Sequence, residues 1–207
     1  MPDLKLVIFD CDGVMFDSKN ANLEYYNHIL ARFGHPPMSD EELDYVHAHH
    51  VEDSVRQIYR NYPDDYRKAD EYRKQLDYTP YLRHMLIESD LIEFLRFLKP
   101  RFNTAISTNR SSTMKTVLDM FNLAEHFQMV VTALDVDNPK PHPEALHKIL
   151  AHFKCTVEES IYIGDSQIDR QHTEAVGMRM IAFKNQALAA EFHVSSFMEI
   201  VTLGILR

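Results

Sequence analysis

The 207-residue chain has only two cysteines, Cys11 and Cys155. Their spacing fits no zinc or dithiol pattern, so both are expected as thiols in a reducing cytoplasm. Basic residues are also in deficit, 22 Lys and Arg against 31 Asp and Glu, and the formal charge of −9 argues against nucleic acid or an anionic membrane as partner. No apolar run reaches the length of a membrane span, and the first residues lack the basic-then-apolar order of an export signal. Glycine is scarce, and between Lys19 and Ser89 only Gly34 represents it. That stretch instead holds nine of the ten tyrosines and six of the twelve histidines, a shift in composition that marks a separate segment. With 45% hydrophobic residues, the chain can bury one sizeable core and a smaller second one.

The stretch from Leu6 to Ser18 reads LVIFDCDGVMFDS. Leu6-Val7-Ile8-Phe9 suits a buried strand, and it runs straight into Asp10 and Asp12. Side chains one residue apart on a strand point to opposite faces. For both carboxylates to meet one ligand, the chain must leave the strand at Asp12, and Gly13 permits that turn. A calcium loop would need further acids at fixed offsets, a late Glu and helical flanks, whereas Asp17 falls at the wrong offset and the preceding segment reads as a strand. An isolated acidic turn is the plainer reading, and it yields only if other segments supply complementary groups.

They do. Leu23, Tyr26, Ile29, Leu30 and Phe33 recur at helical steps up to Gly34, and Ser39-Asp40-Glu41-Glu42 is a capping box for a second helix. Val51–Tyr59 and Asp64–Tyr78 add two more. Beyond Asp90 helices alternate with strands: a helix over Asp90–Lys99, a strand over Phe102–Ser107, a helix over Ser112–Phe121, a strand over Phe127–Val131. A loop bearing Asn138-Pro139-Lys140-Pro141-His142-Pro143 precedes a helix over Glu144–Phe153. Thr156-Val157-Glu158-Glu159 reads as another capping box. A strand at Ile161–Ile163 ends in Gly164-Asp165-Ser166-Gln167-Ile168-Asp169, followed by a helix to about Val176 and a strand over Met180–Phe183. The expectation is an α/β fold: a Rossmann-like parallel sheet with helices on both faces, from residues 1–17 and 90–207, interrupted by an all-helical insert over residues 18–89.

Parallel strands present their carboxyl ends on one edge, so Asp10, Asp12, Ser107-Thr108, Lys140, Asp165 and Asp169 should share a crevice. Four carboxylates repel one another unless a cation is present. A hard divalent ion such as Mg2+ fits, with Lys140 and the Thr108 hydroxyl left for phosphate oxygens.

At this point the chain resembles the haloacid dehalogenase-like hydrolase superfamily, in the branch of phosphatases with a helical cap after the first strand. Four segments carry the resemblance, in order: FDCDGVMFDS, ISTN, NPKPHP and IGDSQID. It implies a Mg2+-dependent phosphomonoester hydrolase acting on a small phosphorylated metabolite. Asp10 would be the nucleophile that forms an aspartyl-phosphate, and Asp12 the general acid and base. The metal would be held by Asp10, the Asp12 carbonyl and Asp165, with Asp169 beside or behind them, and the phosphoryl group by Thr108, Asn109 and Lys140. Asp12 favours phosphate esters over carbon–halogen bonds, because a halide leaves without a proton and an alkoxide does not. A β-phosphoglucomutase-like mutase is the alternative, although the cap-side His that such enzymes often carry twelve residues after the nucleophile is Asn22 here. A phosphate- or metal-binding regulator without turnover is another.

The insert should close over the crevice and select the substrate, with Asn22, Tyr25, Tyr26 and the core residue Arg110 as candidate substrate contacts. The tyrosines and histidines otherwise serve packing and a solvated face. His47, His49 and His50 suggest a solvated helix end more than a transition-metal site. A monomer or weak dimer is expected.

Overall fold

The computed structural model describes residues 3–48 and 51–206, with the side chains at 47 and 48 left out, so the His47, His49 and His50 cluster lies outside the described residues. The chain divides into two compact units, one of Met1–Phe16 and Ile87–Arg207, the other of Asp17–Leu86. It passes between them in two short strands, β2 (Phe16–Asp17) and β3 (Leu86–Ile87).

The larger unit is built on six strands: β1 (Leu6–Phe9), β4 (Asn103–Ser107), β5 (Met129–Val131), β6 (Ser160–Gly164), β7 (Arg179–Phe183) and β8 (Phe192–Val194). They lie in the order β5-β4-β1-β6-β7-β8, and every pairing is parallel. β1 is central because each of its residues is fully buried and can serve both faces. Leu6 and Ile8 join the cluster of Tyr162, Met180 and Ala182 with Leu146 and Ile149 of helix α7 (Glu144–Phe153). On the other side Phe9 meets Phe94, Phe127 and Phe197 at ring separations of 5.6–6.0 Å. Burying each such side chain contributes about 1.5–3 kcal/mol before entropy is charged. Helices α5 (Leu91–Leu98), α6 (Met114–Met120), α8 (Gln167–Glu174) and α9 (Phe197–Thr202) complete the unit.

The register brings three strand ends level. Phe9 pairs with Ile106 on one side and Ile163 on the other, so Asp10 comes beside Ser107 and Gly164, where β1, β4 and β6 finish together.

Two local expectations need correction. Thr156–Glu159 does not open a helix. Glu159 Oε2 does accept the Thr156 N–H at 3.0 Å, but the Glu159 carbonyl is taken by the N–H groups of Lys5 and Leu6, which draws the chain into β6. The strand β8 and helix α9 lie outside the expected elements, being three and six residues long and too short for a periodic pattern.

The smaller unit contains helices α1 (Lys19–Arg32), α2 (Asp40–Ala48), α3 (Val51–Ile58) and α4 (Pro63–Gln75), then a 3₁₀ turn over Thr79–His84. α1 ends in a Schellman motif, with His35 N–H on the Leu30 carbonyl and Gly34 N–H on that of Ala31. The motif needs a positive φ, and Gly34 supplies +76°. The capping box of α2 is reciprocal: Ser39 N–H to Glu42 Oε2 at 3.0 Å, and Glu42 N–H to Ser39 Oγ at 3.2 Å. Its core gathers Tyr25, Tyr26, Ile29, Val55, Ile58 and Tyr59.

Candidate active site

Asp10 continues the ladder one residue past β1, its N–H donating to the Ile163 carbonyl at 2.9 Å. The chain then turns back, with Met15 N–H on the Cys11 carbonyl and Gly13 N–H on that of Phe16. Gly13 sits at φ +80°, and a Cβ built there would fall 2.1 Å from Asp165 Oδ2. The backbone of the first motif and the carboxylate at the end of β6 are thus in direct apposition, and only a residue without a side chain allows it. Oxygens of Asp10, Asp165 and Asp169 lie within 4.8 Å of one another.

Lys140 is the hub. Its ammonium, on a side chain 4% exposed, donates to Asp10 Oδ1 at 2.8 Å, Asp169 Oδ1 at 2.7 Å and the Tyr162 hydroxyl at 3.0 Å. All three donors are spent on one ring of acceptors. Burial alone would push the lysine down, but Asp10 and Asp169 hold it well above the usual range.

Asp169 is saturated. Besides Lys140, Oδ1 lies 3.0 Å from the Tyr162 hydroxyl, and Oδ2 accepts from the N–H groups of Asp165 and Ser166 and from Ser166 Oγ. It also closes the capping box of α8 with Ser166. Burial would raise its pKa, yet Lys140 and the Ser166 and Tyr162 bonds hold it below the usual carboxylate range. Asp10 and Asp165 differ. Burial, reinforced by their neighbouring carboxylates, pushes Asp10 up to about 7 and Asp165 up to about 8. At both acids burial outweighs the opposing charge of Lys140, and their oxygens are close enough to share one hard divalent cation.

Thr108 follows β4, its N–H on the Val131 carbonyl at 3.0 Å, and it is buried. Its Oγ1 accepts the Arg110 N–H at 3.1 Å. Asn109 uses its side chain on the Lys140 backbone, donating Nδ2–H to the carbonyl and accepting the N–H on Oδ1, both at 3.0 Å. Asp12 is forked by Arg110, Nε to Oδ2 at 3.0 Å and Nη2 to Oδ1 at 2.5 Å.

The candidates on the helical unit stand differently. Tyr25 and Tyr26 are buried in that unit's own core, Tyr25 edge-on to Tyr26, Tyr78 and Tyr81. Asn22 Oδ1 accepts the Tyr78 hydroxyl at 2.9 Å.

Sequence reasoning misses three residues. Tyr162 reads only as part of a strand, but its hydroxyl accepts from Lys140 and lies 3.0 Å from both the Ser107 carbonyl and Asp169. His172 is fully buried, with Nδ1 2.9 Å from the His142 carbonyl and Nε2 3.1 Å from Ser107 Oγ. The carbonyl accepts only, so the proton is on Nδ1, and the ring ties the loop of Lys140 to β4. Asn185 donates to the Asp165 carbonyl at 2.7 Å. Cys11, between the two aspartates, is sealed, and burial with Asp12 pushes its thiol up, away from nucleophilic use.

A family model described as haloacid dehalogenase-like hydrolase matches residues 7–183. A solved HAD-superfamily hydrolase of subfamily IA, variant 1, from Geobacter sulfurreducens is 37% identical with a TM-score of 0.86, the match covering 99% of this chain and 97% of that one. Pyrophosphatase PpaX of Bacillus cereus is 26% identical over 206 residues, which cover 95% of this chain and 88% of the relative. The structure of CbbY from Rhodobacter sphaeroides in complex with phosphate shares the fold at 16% identity and a TM-score of 0.75, with 95% of this chain and 96% of that one covered.

Proposed function

Because the chain belongs to the haloacid dehalogenase-like hydrolases, we propose that it is a divalent-cation-dependent phosphatase that hydrolyses a small phosphorylated metabolite through an aspartyl-phosphate on Asp10. The observation that carries this is the ring around Lys140. One ammonium holds Asp10 at 2.8 Å and Asp169 at 2.7 Å, which fixes the direction of the nucleophile and partly offsets its charge toward an incoming phosphate.

In the first half-reaction an Asp10 oxygen forms a bond to phosphorus as the bond to the leaving oxygen breaks, and Asp12 gives that oxygen its proton. In the second, Asp12 takes a proton from water as the water oxygen bonds to phosphorus and the bond from phosphorus to the Asp10 oxygen breaks, releasing inorganic phosphate and returning Asp10 as a carboxylate. Thr108 bears on the phosphoryl oxygens through its hydroxyl, and Lys140, its three N–H groups committed to Asp10, Asp169 and Tyr162, contributes its charge. Asn109 enters through Lys140, because its amide is used on that backbone. Asp10, Asp165 and the Asp12 carbonyl would hold Mg2+, while Asp169, with both oxygens hydrogen-bonded, supports them from behind. When bound, the ion supplies positive charge to the transferring group and to the two acids that burial pushes up.

The Bacillus cereus relative is named a pyrophosphatase, so a phosphoanhydride stands beside phosphomonoesters as a substrate class to test. Cys11 and Cys155, which form no disulfide, support a reducing compartment such as the cytoplasm. Among the described residues no helix is long and apolar enough to cross a membrane.

Turnover of p-nitrophenyl phosphate, pyrophosphate and a panel of phosphorylated metabolites, with Mg2+ or with EDTA, tests the reading. Hydrolysis that requires the cation is expected. Inertness toward the whole panel, or turnover that EDTA leaves unchanged, would overturn it.

A further inference from the structure

Arg110 is a buried cation of the larger unit. It stands two residues after Thr108, where a loop connects β4 to α6. Its side chain is 7% exposed, although arginine is seldom sealed without a specific partner. Asp12 is one such partner: Nε donates to Oδ2 at 3.0 Å and Nη2 to Oδ1 at 2.5 Å. The guanidinium is itself tethered, with Nη1 donating to Thr113 Oγ1 at 3.0 Å and its backbone N–H donating to Thr108 Oγ1 at 3.1 Å.

Two parallel N–H···O bonds fix both the plane and the direction of a carboxyl group, which a single ammonium does not. Asp12 has need of this. It lies in a turn rather than a regular strand, and its side chain is 34% exposed, so packing alone leaves it room to change rotamer. A carboxylate oxygen offers two lone-pair directions, so one can accept from the fork while the other carries a proton.

We propose that Arg110 is a positioning residue for Asp12, aiming that carboxyl group at the departing oxygen of the substrate, and that it acts on the reaction through Asp12 and not on the transferring phosphoryl group. The inference rests on the phosphatase reading above. In the step concerned, the bond from Asp10 oxygen to phosphorus forms, the bond from phosphorus to the leaving oxygen breaks, and the proton of Asp12 passes to that oxygen. A leaving group that departs readily as an anion needs no such proton and should not register the loss of Arg110.

The test compares kcat/KM for phenyl phosphate, whose phenolate leaves poorly, with that for 2,4-dinitrophenyl phosphate, whose anion leaves without help. Arg110→Ala is expected to lower the first by about 100-fold, the low end of what general acid catalysis contributes, and the second by no more than about threefold. Arg110→Lys keeps the charge without the fork, and about a tenfold loss on phenyl phosphate alone is expected if direction matters more than charge. In an Asp12→Asn background, adding Arg110→Ala should change turnover of the dinitrophenyl ester by less than about twofold, because residues that act as a unit are not additive.

Equal losses on the two esters, in either variant, would overturn the inference. So would a full further loss in the Asp12→Asn background. A wild-type protein inert toward both esters would instead overturn the phosphatase reading, and this inference with it.

Discussion

Asn109 holds Lys140 by both ends of one residue's backbone, its amide donating to the Lys140 carbonyl and accepting the Lys140 N–H, each at 3.0 Å. The far end of the same lysine is fixed by Asp10, Asp169 and Tyr162. The loop between β5 and α7 is thereby docked on the residue that follows Thr108, and the ammonium arrives with no freedom to wander.

Asn109→Ala removes both bonds. A displacement of about 1 Å at a reacting centre costs on the order of 100-fold in rate, so a loss of that size in kcat for p-nitrophenyl phosphate is expected. Asn109→Asp keeps the acceptor but sets an anion against the Lys140 carbonyl, and should recover little. Wild-type kcat in Asn109→Ala would show that the loop is held by other means.

Gly13→Ala is expected to be worse than its size suggests. The new Cβ would lie 2.1 Å from Asp165 Oδ2 at φ +80°. The left-handed backbone costs about 1–2 kcal/mol for a residue with a side chain. The clash must also displace Asp165 from its place against the turn. Circular dichroism should find the fold intact, and Mg2+ titration should find affinity lowered by about 10-fold or more. Unchanged Mg2+ affinity would remove Asp165 from the cation site.

The two raised acids make a prediction about pH. Folded Asp10 and Asp165 keep protons, up to about 7 and about 8, that the unfolded chain sheds near its ordinary value of 3.8. The folded state therefore binds more protons across that window, and their contribution to stability falls as pH rises through it. A divalent cation that binds the two carboxylates should reverse the penalty. The increase in melting temperature on adding Mg2+ is expected to be larger at about pH 8 than at about pH 6.5, each kcal/mol appearing as roughly 2–4 °C. An equal increase at both values would contradict it.

His172 has the opposite sign. Burial, with Lys140 nearby, pushes it down to about 4 from an ordinary value of 6.5. The unfolded chain binds the extra proton between those values, so the contribution of His172 is whole above the upper one and is lost as pH falls toward the lower. The full effect is on the order of 3 kcal/mol. His172→Gln should melt lower than wild type near pH 7.5 and lose less on acidification to about pH 4.5. A variant that parallels wild type across that range would assign the acid sensitivity elsewhere.

Much of the site is legible in the sequence because strand ends announce themselves. A buried run such as Leu6–Phe9 that stops at Asp10 has no structural reason to do so, and Gly13 and Lys140 each make sense only beside another segment. The groups behind the site are not legible. Tyr162 looks like one more strand residue, because periodicity reports the face a side chain occupies and not the polar tip it carries across the core. His172 lies on an ordinary turn of α8, and its two partners, Ser107 and the His142 carbonyl, are distant in sequence. In the sequence Tyr25 and Tyr26 stand as candidate substrate contacts among tyrosines that otherwise serve packing, and both are buried in the helical unit's core. The hydrogen bonds of Asp169 to Lys140, Ser166 and Tyr162 are likewise invisible in its sequence position.

The phosphatase reaction proposed for this chain requires Asp10 to become an acyl phosphate during turnover. Quenching the protein in acid with substrate and Mg2+, followed by borohydride reduction, converts such a phosphate to homoserine, which peptide mass spectrometry locates. Homoserine at position 10, dependent on substrate and absent from Asp10→Asn, is the predicted result. Robust steady-state hydrolysis with no modification at Asp10, or with label on another residue, would contradict the account.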